Sequence, residues 1–169
     1  TKDPHEVNKV VDIVPRGTKV HPVGRLDKNS EGLLILTNDG NLTYKLTHPK
    51  FNVEKEYYIE AAYENYVKKD EIDIKGLKNA LLKGISLEDG YICADKVNKL
   101  STMPNRKAIS LNIGIHSGKK RILRRFFAKF GYAVTKLKRI RVGSLRLDVD
   151  VGKFRELDTD EVDKLMNVG

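Results

Sequence analysis

The sequence has few of the features that stabilise secreted proteins or anchor membrane proteins. Among 169 residues there is one cysteine, Cys93, so neither an intrachain disulfide nor a cysteine-rich metal site can be built. Cys93 reads as a small buried hydrophobe. No apolar run approaches the roughly 20 residues that span a bilayer, and the opening TKDPHEV lacks the basic and apolar regions of a signal peptide. A cytoplasmic protein with no membrane partner is therefore expected. The five prolines are scattered as turn markers, and no repeat or low-complexity tract is present. A single domain over residues 1–169 is the expectation. His5, His21, His48 and His116 show no metal-ligand spacing, and "NDGNL" lacks the lysine and glycine spacing of a phosphate loop. No metal and no cofactor are expected.

Acidic residues are missing from one long stretch. Residues 117–147 hold eleven Lys or Arg and no Asp or Glu, which more than accounts for the net charge of +9. A solvated face seldom excludes acids over so many residues, so the segment points to a nucleic acid as partner. Its apolar residues follow a core pattern, which argues against a membrane surface.

Periodicity supplies the elements. Residues 33–37 form an apolar run expected to be a strand covered on both faces, and a short helix with Leu42 and Leu46 follows, ending before Pro49. "KEYYIEAAY" reads as a strand from Lys55. Its adjacent Tyr57 and Tyr58 must face opposite ways, one to the core and the other open to a ligand. Residues 65–83 suggest a helix with Leu77 and Leu81 inward, weakened by Gly76 and followed by Gly84. "KAISLNIGI" alternates, with Ile109, Leu111, Ile113 and Ile115 on one face. From residue 120 the spacing predicts a helix that buries Ile122, Leu123, Phe126, Phe127 and Phe130, presents Arg121, Arg124, Arg125 and Lys129, and ends at Gly131. Strands over 133–142 and 145–149 and a terminal helix at "DTDEVDKLM" complete the chain. Mixed strands and helices without βαβ regularity give an α+β class.

The stretch "GRLDKNSEGLLILTNDG", residues 24–40, carries an isolated aspartate, Asp27. An EF-hand fits its first half through Asp27, Asn29, Glu31 and Gly32. The second half fails, because the bidentate glutamate would fall on Asn38 and the intervening positions are apolar. A glycosidase pair with Glu31 is conceivable, but a spacing of four does not establish the separation that chemistry needs. On these grounds alone a turn role and a catalytic role for Asp27 remain open.

The motifs "HPVGRLDKNSEGLLILTNDG", "LTHP", "KEYYIE" and "SGKKRILRRFFAKFGYAVTKLKRIRVGSL" occur in the order and spacing of the RsuA-like pseudouridine synthases of ribosomal RNA, and the chain resembles that family over nearly its whole length. The resemblance implies the pseudouridine synthase fold: a mixed, largely antiparallel sheet with flanking helices and a central catalytic cleft. It makes Asp27 the catalytic nucleophile, Tyr57 the residue packed against the target base, and Arg124 the partner of the aspartate. Leu123 is implied to lie beside Arg124. It also implies RNA contacts, which we place at Arg25, Lys55, Lys119, Arg121, Arg125 and Arg139. Many members carry Gln where this chain has Ile122, and they usually begin with a further strand and often an S4-type RNA-binding domain. The expected protein is a monomeric catalytic domain acting on ribosomal RNA or a ribosome assembly intermediate, with the large subunit favoured. The competing readings are a non-catalytic RNA-binding assembly factor and a nucleoside glycosidase.

Overall fold

The computed structural model describes residues 13–64, 74–88, 90–103, 107–116 and 120–168. Its frame is a sheet of long strands: β4 (Lys55–Tyr63), β7 (Lys96–Met103), β8 (Ala108–Ile115) and β9 (Tyr132–Val142). The short strands are β1 (His21–Pro22), β2 (Glu31–Gly32), β3 (Leu36–Thr37), β5 (Ile85–Leu87), β6 (Gly90–Ile92) and β10 (Leu145–Arg146). The main sheet runs β10-β9-β4-β8-β7 with antiparallel neighbours, and β2 joins β9 as its parallel strand. The pairs β1–β3 and β5–β6 stand apart from it. The fold is α+β, as the composition of elements implied.

Alternation in β4 and β8 sends Tyr57, Ile59 and Ala61 and Ile109, Leu111, Ile113 and Ile115 to one face, all buried. Helix α2 (Ile74–Lys83) covers that face with Leu77 and Leu81, and α3 (Lys120–Lys129) does so with Ile122, Leu123, Phe126 and Phe127. The expected beginning of α2 lies outside the described residues. Gly84 after its end and Gly131 after α3 hold φ of 92° and 84°, a left-handed conformation that glycine adopts without penalty. Tyr58 takes the opposite face of the sheet and is half-buried.

A second core lies at the other end of β9, where Val23, Leu33, Ile35, Leu42, Leu46, Val142 and Leu145 meet Leu165. It joins α1 (Gly40–Thr47) to α4 (Thr159–Met166). Asp39 caps α1 by accepting from the Asn41 and Leu42 amides, and Asp158 and Glu161 form a reciprocal capping box on α4.

The apolar run over residues 33–37 departs from expectation. It is not one strand. Glu31 and Gly32 pair with β9, the Leu33 amide still donates to the Arg139 carbonyl at 2.8 Å, and the chain then crosses to pair Leu36 and Thr37 with β1. Leu33 and Ile35 are buried in the second core, so burial makes the run apolar although its backbone changes partners midway.

Candidate active site

The crossing segment holds the Asp27 loop in place. Gly32 sits opposite Arg139 in the parallel β2–β9 pair, with φ of 114°. A side chain there would stand 2.2 Å from the Arg139 carbonyl oxygen, so glycine is what allows the two backbones to approach. The loop itself is a tight turn, in which the Ser30 amide donates to the Asp27 carbonyl at 3.0 Å. The Ser30 hydroxyl also donates to Asp27 Oδ2 at 3.3 Å. The turn reading of Asp27 is thus correct for its backbone; the residue is half-buried, and its carboxylate lies close enough to Tyr57 for its charge to act on the phenol.

Arg139 links this loop to Tyr57. It is the cross-strand neighbour of Tyr57 in the β4–β9 pair, next to a bulge that leaves Ile140 unpaired between Glu56↔Arg141 and Tyr57↔Arg139. A bulge increases local twist and re-aims side chains, a device common beside active sites. The Arg139 Nε donates to the Leu33 carbonyl at 2.8 Å, and its guanidinium is hydrogen-bonded to the Tyr57 phenol. Burial raises the Tyr57 pKa above its ordinary value of 10.0; the Arg139 charge and hydrogen bond oppose this, and the Asp27 carboxylate adds to the rise. At neutral pH Tyr57 is therefore a neutral phenol within the field of both Arg139 and Asp27.

These groups open on a cleft of about 170 Å³ lined by Arg25, Thr47, Lys55, Tyr57 and Arg139 together with apolar residues of the second core. Lys55 is held below its usual pKa, first by burial and then by the Arg139 charge. Arg25 is exposed at the rim. The arrangement offers a carboxylate on a fixed loop, a neutral phenol, and cations around a pocket of mixed polarity. It can hold an uncharged ring while an anionic backbone passes across the mouth.

Three expected roles change in detail. Arg124 reaches the Asp27 loop through its backbone: its guanidinium donates to the Asn29 carbonyl at 3.0 Å and to the Val134 carbonyl at 3.5 Å. No Arg124–Asp27 ion pair forms among the described residues. Arg139, placed on the RNA path by its position in the basic segment, is 3% exposed and faces the interior. It follows buried Leu137 by two residues on β9, and that inward phase is the signal that could have identified it. The basic segment as a whole contributes less to the surface than its count implies. Arg141 and Arg146 bind Glu54 at 2.7 Å and Glu56 at 3.2 Å, and Lys136 lies 3.7 Å from Glu31. On α3, Arg121 and Arg125 are exposed. Arg125 also lies 3.9 Å from the open carboxylate of Glu88. Lys119 lies outside the described residues. Leu123 and Ile122 are both in the main core, so an apolar residue at the latter position is accounted for by packing. Sequence reasoning missed Ser30, Gly32 and Thr47.

Residues 4–129 match the family model described as RNA pseudouridylate synthase. An uncharacterized RNA pseudouridine synthase of Aquifex aeolicus is 38% identical over 160 residues, covering 94% of this chain and 59% of that protein. The ribosomal large subunit pseudouridine synthase B of Bacillus subtilis is 37% identical over 148 residues, covering 87% of this chain and 57% of the relative. A crystal structure of a pseudouridylate synthase superposes with a TM-score of 0.72 at 28% identity, over 91% of this chain and 64% of that one. The chain thus spans less than two thirds of the length of these relatives.

Proposed function

Given that the chain belongs to the RNA pseudouridylate synthase family, we propose that it isomerises a uridine of ribosomal RNA to pseudouridine with Asp27 as nucleophile. The large subunit is the favoured source of the substrate, and a monomer acting on free RNA or on an assembly intermediate is the working form. One observation carries the reading: the Asp27 loop is pinned to β9 at Gly32 and Leu33, against the same Arg139 that holds the Tyr57 phenol in the cleft.

The net reaction breaks the bond from nitrogen 1 of uracil to ribose carbon 1′ and forms one from carbon 5 to the same ribose carbon. One proton leaves carbon 5 and one is gained at nitrogen 1, so no electron or group donor is needed. A carboxylate suits this chemistry because it can add and leave again, dividing one difficult step into two easier ones. In this reading the neutral Tyr57 phenol packs at the base and takes part in proton transfer, and its interaction with Arg139 supports that role. The uridine must leave its helix to reach the cleft. Arg25 and Lys55 at the cleft, with Arg121 and Arg125 on α3, supply phosphate contacts that hold the flanking strand.

The test is tritium release from ribosomal RNA labelled at carbon 5 of uridine, followed by mapping of the modified position. Wild-type protein should release tritium, and Asp27→Asn should bind RNA within a few fold yet release none. Binding without turnover by the wild type would make the protein an RNA-binding factor instead. Release of free uracil would make it a glycosidase.

A further inference from the structure

Helix α1 turns Leu42 and Leu46 into the second core and Tyr44 outward, where it is 47% exposed. Beyond the helix end, the turn Pro49–Phe51 folds His48 and Phe51 back against Tyr44. The ring centroids lie 4.9 Å apart for Tyr44 and His48, 5.5 Å for Tyr44 and Phe51, and 6.4 Å for His48 and Phe51, at interplanar angles of 51°, 87° and 77°. Two ammonium groups cover the cluster. Lys45 Nζ lies 4.6 Å from the Phe51 ring centre, and Lys50 Nζ lies 5.0 Å from Phe51 and 5.2 Å from Tyr44.

A satellite core would bury such rings, and here the largest of them is half in water. Residues 40–53 contain no Asp or Glu, and the capping Asp39 carboxylate is occupied by backbone amides, so the two cations are not neutralised from their own segment. Exposed aromatic faces interleaved with cations are the means by which unpaired nucleic acid is bound: bases stack on rings and phosphates meet lysines. The exposed His48 ring is held in place because its Nδ1 accepts from the Lys50 amide at 3.2 Å. Thr47 and Leu46 of the same helix line the cleft. Tyr44 stands three residues before Thr47 on this helix, so the patch adjoins the cleft.

We propose that Tyr44, with His48, Lys45 and Lys50, forms a stacking subsite for an unpaired nucleotide adjoining the target uridine. The inference rests on the proposed action on RNA, but its test does not require catalysis. Fluorescence anisotropy with a labelled oligoadenylate of about ten nucleotides, within the site size typical of single-strand binders, measures the subsite directly because this probe contains no uridine. Tyr44→Ala should weaken binding by roughly 5- to 150-fold, the loss of one stacked base. Tyr44→Phe should restore it, and Tyr44→Leu, which keeps an apolar contact for Phe51, should not. Lys50→Gln should reduce the salt dependence of binding. On ribosomal RNA, Tyr44→Ala should raise KM with kcat within about twofold, because a contact to a flanking base is made equally in ground and transition states. Equal oligoadenylate binding by wild type, Tyr44→Leu and Tyr44→Ala would overturn the subsite, as would an equal loss on a fully paired duplex. If wild-type protein modifies no RNA yet these oligonucleotide effects appear, the enzymatic reading fails and the subsite stands.

Discussion

The attachment of the Asp27 loop to the sheet through Gly32 can be tested with one methyl group. In Gly32→Ala the new Cβ would meet Arg139 backbone atoms at 2.2 Å, 2.6 Å and 2.9 Å. These belong to β9, which is hydrogen-bonded to β4 and β2 and cannot retreat as a flexible side chain would. The contact must open beyond 3.0 Å, and the movable partner is β2 with its loop. That motion breaks the Leu33 amide bond to Arg139 and the buried Arg139 Nε bond to Leu33, both 2.8 Å. Two such bonds contribute about 1 kcal/mol each, and an alanine at φ of 114° adds about 1–3 kcal/mol of backbone strain. The expected destabilisation is about 3–5 kcal/mol, a fall in Tm of roughly 6–20 °C for a chain of this size. Catalysis should suffer more than folding, since a displacement of about 1 Å at a reacting group can cost on the order of 100-fold. Gly17→Ala is the control: Gly17 has φ of 88° but no atom within 4 Å of its added Cβ, so it carries the strain without the clash. Differential scanning calorimetry and single-turnover rates on both variants make the comparison. If Gly32→Ala melts and turns over like Gly17→Ala, β2 does not hold the loop.

Arg124→Ala should lose about 1.5–3 kcal/mol, the worth of a charge-assisted bond to the Asn29 carbonyl, and should slow the single-turnover rate by loosening the Asp27 loop. Arg124→Lys should recover part of the stability but not the bond to Val134, and near-normal catalysis by Arg124→Ala would remove the arginine from the site. If α3 and the cleft rim neutralise on the order of five phosphates, log affinity should fall against log salt with a slope of about −3.5 to −4.5, and Arg121→Ala with Arg125→Ala should flatten it by about 1.4 to 1.8. An unchanged slope would place the RNA on another face. The raised pKa of Tyr57 favours its neutral form in the folded state, so its contribution is present below the unfolded value of 10.0 and is lost as pH rises above it. Lys55, with a lowered pKa, acts in the opposite sense: its desolvation cost disappears as pH rises through its folded pKa. Urea titrations from pH 9 to 11 should accordingly show Tyr57→Phe less sensitive to alkali than wild type, and identical pH slopes would contradict the burial of the phenol.

Much of this fold was written in local periodicity. Alternation in "KAISLNIGI" and helical spacing in "KRILRRFFAK" need only a water side and a core side to be read, and both elements bury the residues so indicated, except that Phe130 follows the helix end and is only partly buried. The GRLD motif is likewise a short string, and it drew Asp27 out through the family resemblance. Periodicity says which face is buried but not what lies across it. The run over residues 33–37 looked like one strand because each half is buried, while its switch from β9 to β1 depends on residues a hundred positions away. Arg139 looked like part of a basic surface, since charge counting takes no account of phase. The register of β4 on β9 sets it opposite Tyr57, and the absence of a side chain at Gly32 lets the Asp27 loop close against it. Residue types and their spacing determined the elements, and the family motif singled out Asp27. Which guanidinium faces the phenol, and which arginines are drawn into ion pairs with Glu54 and Glu56, was decided by long-range strand register, because a hydrogen bond forms where two distant segments meet and not where either one is encoded.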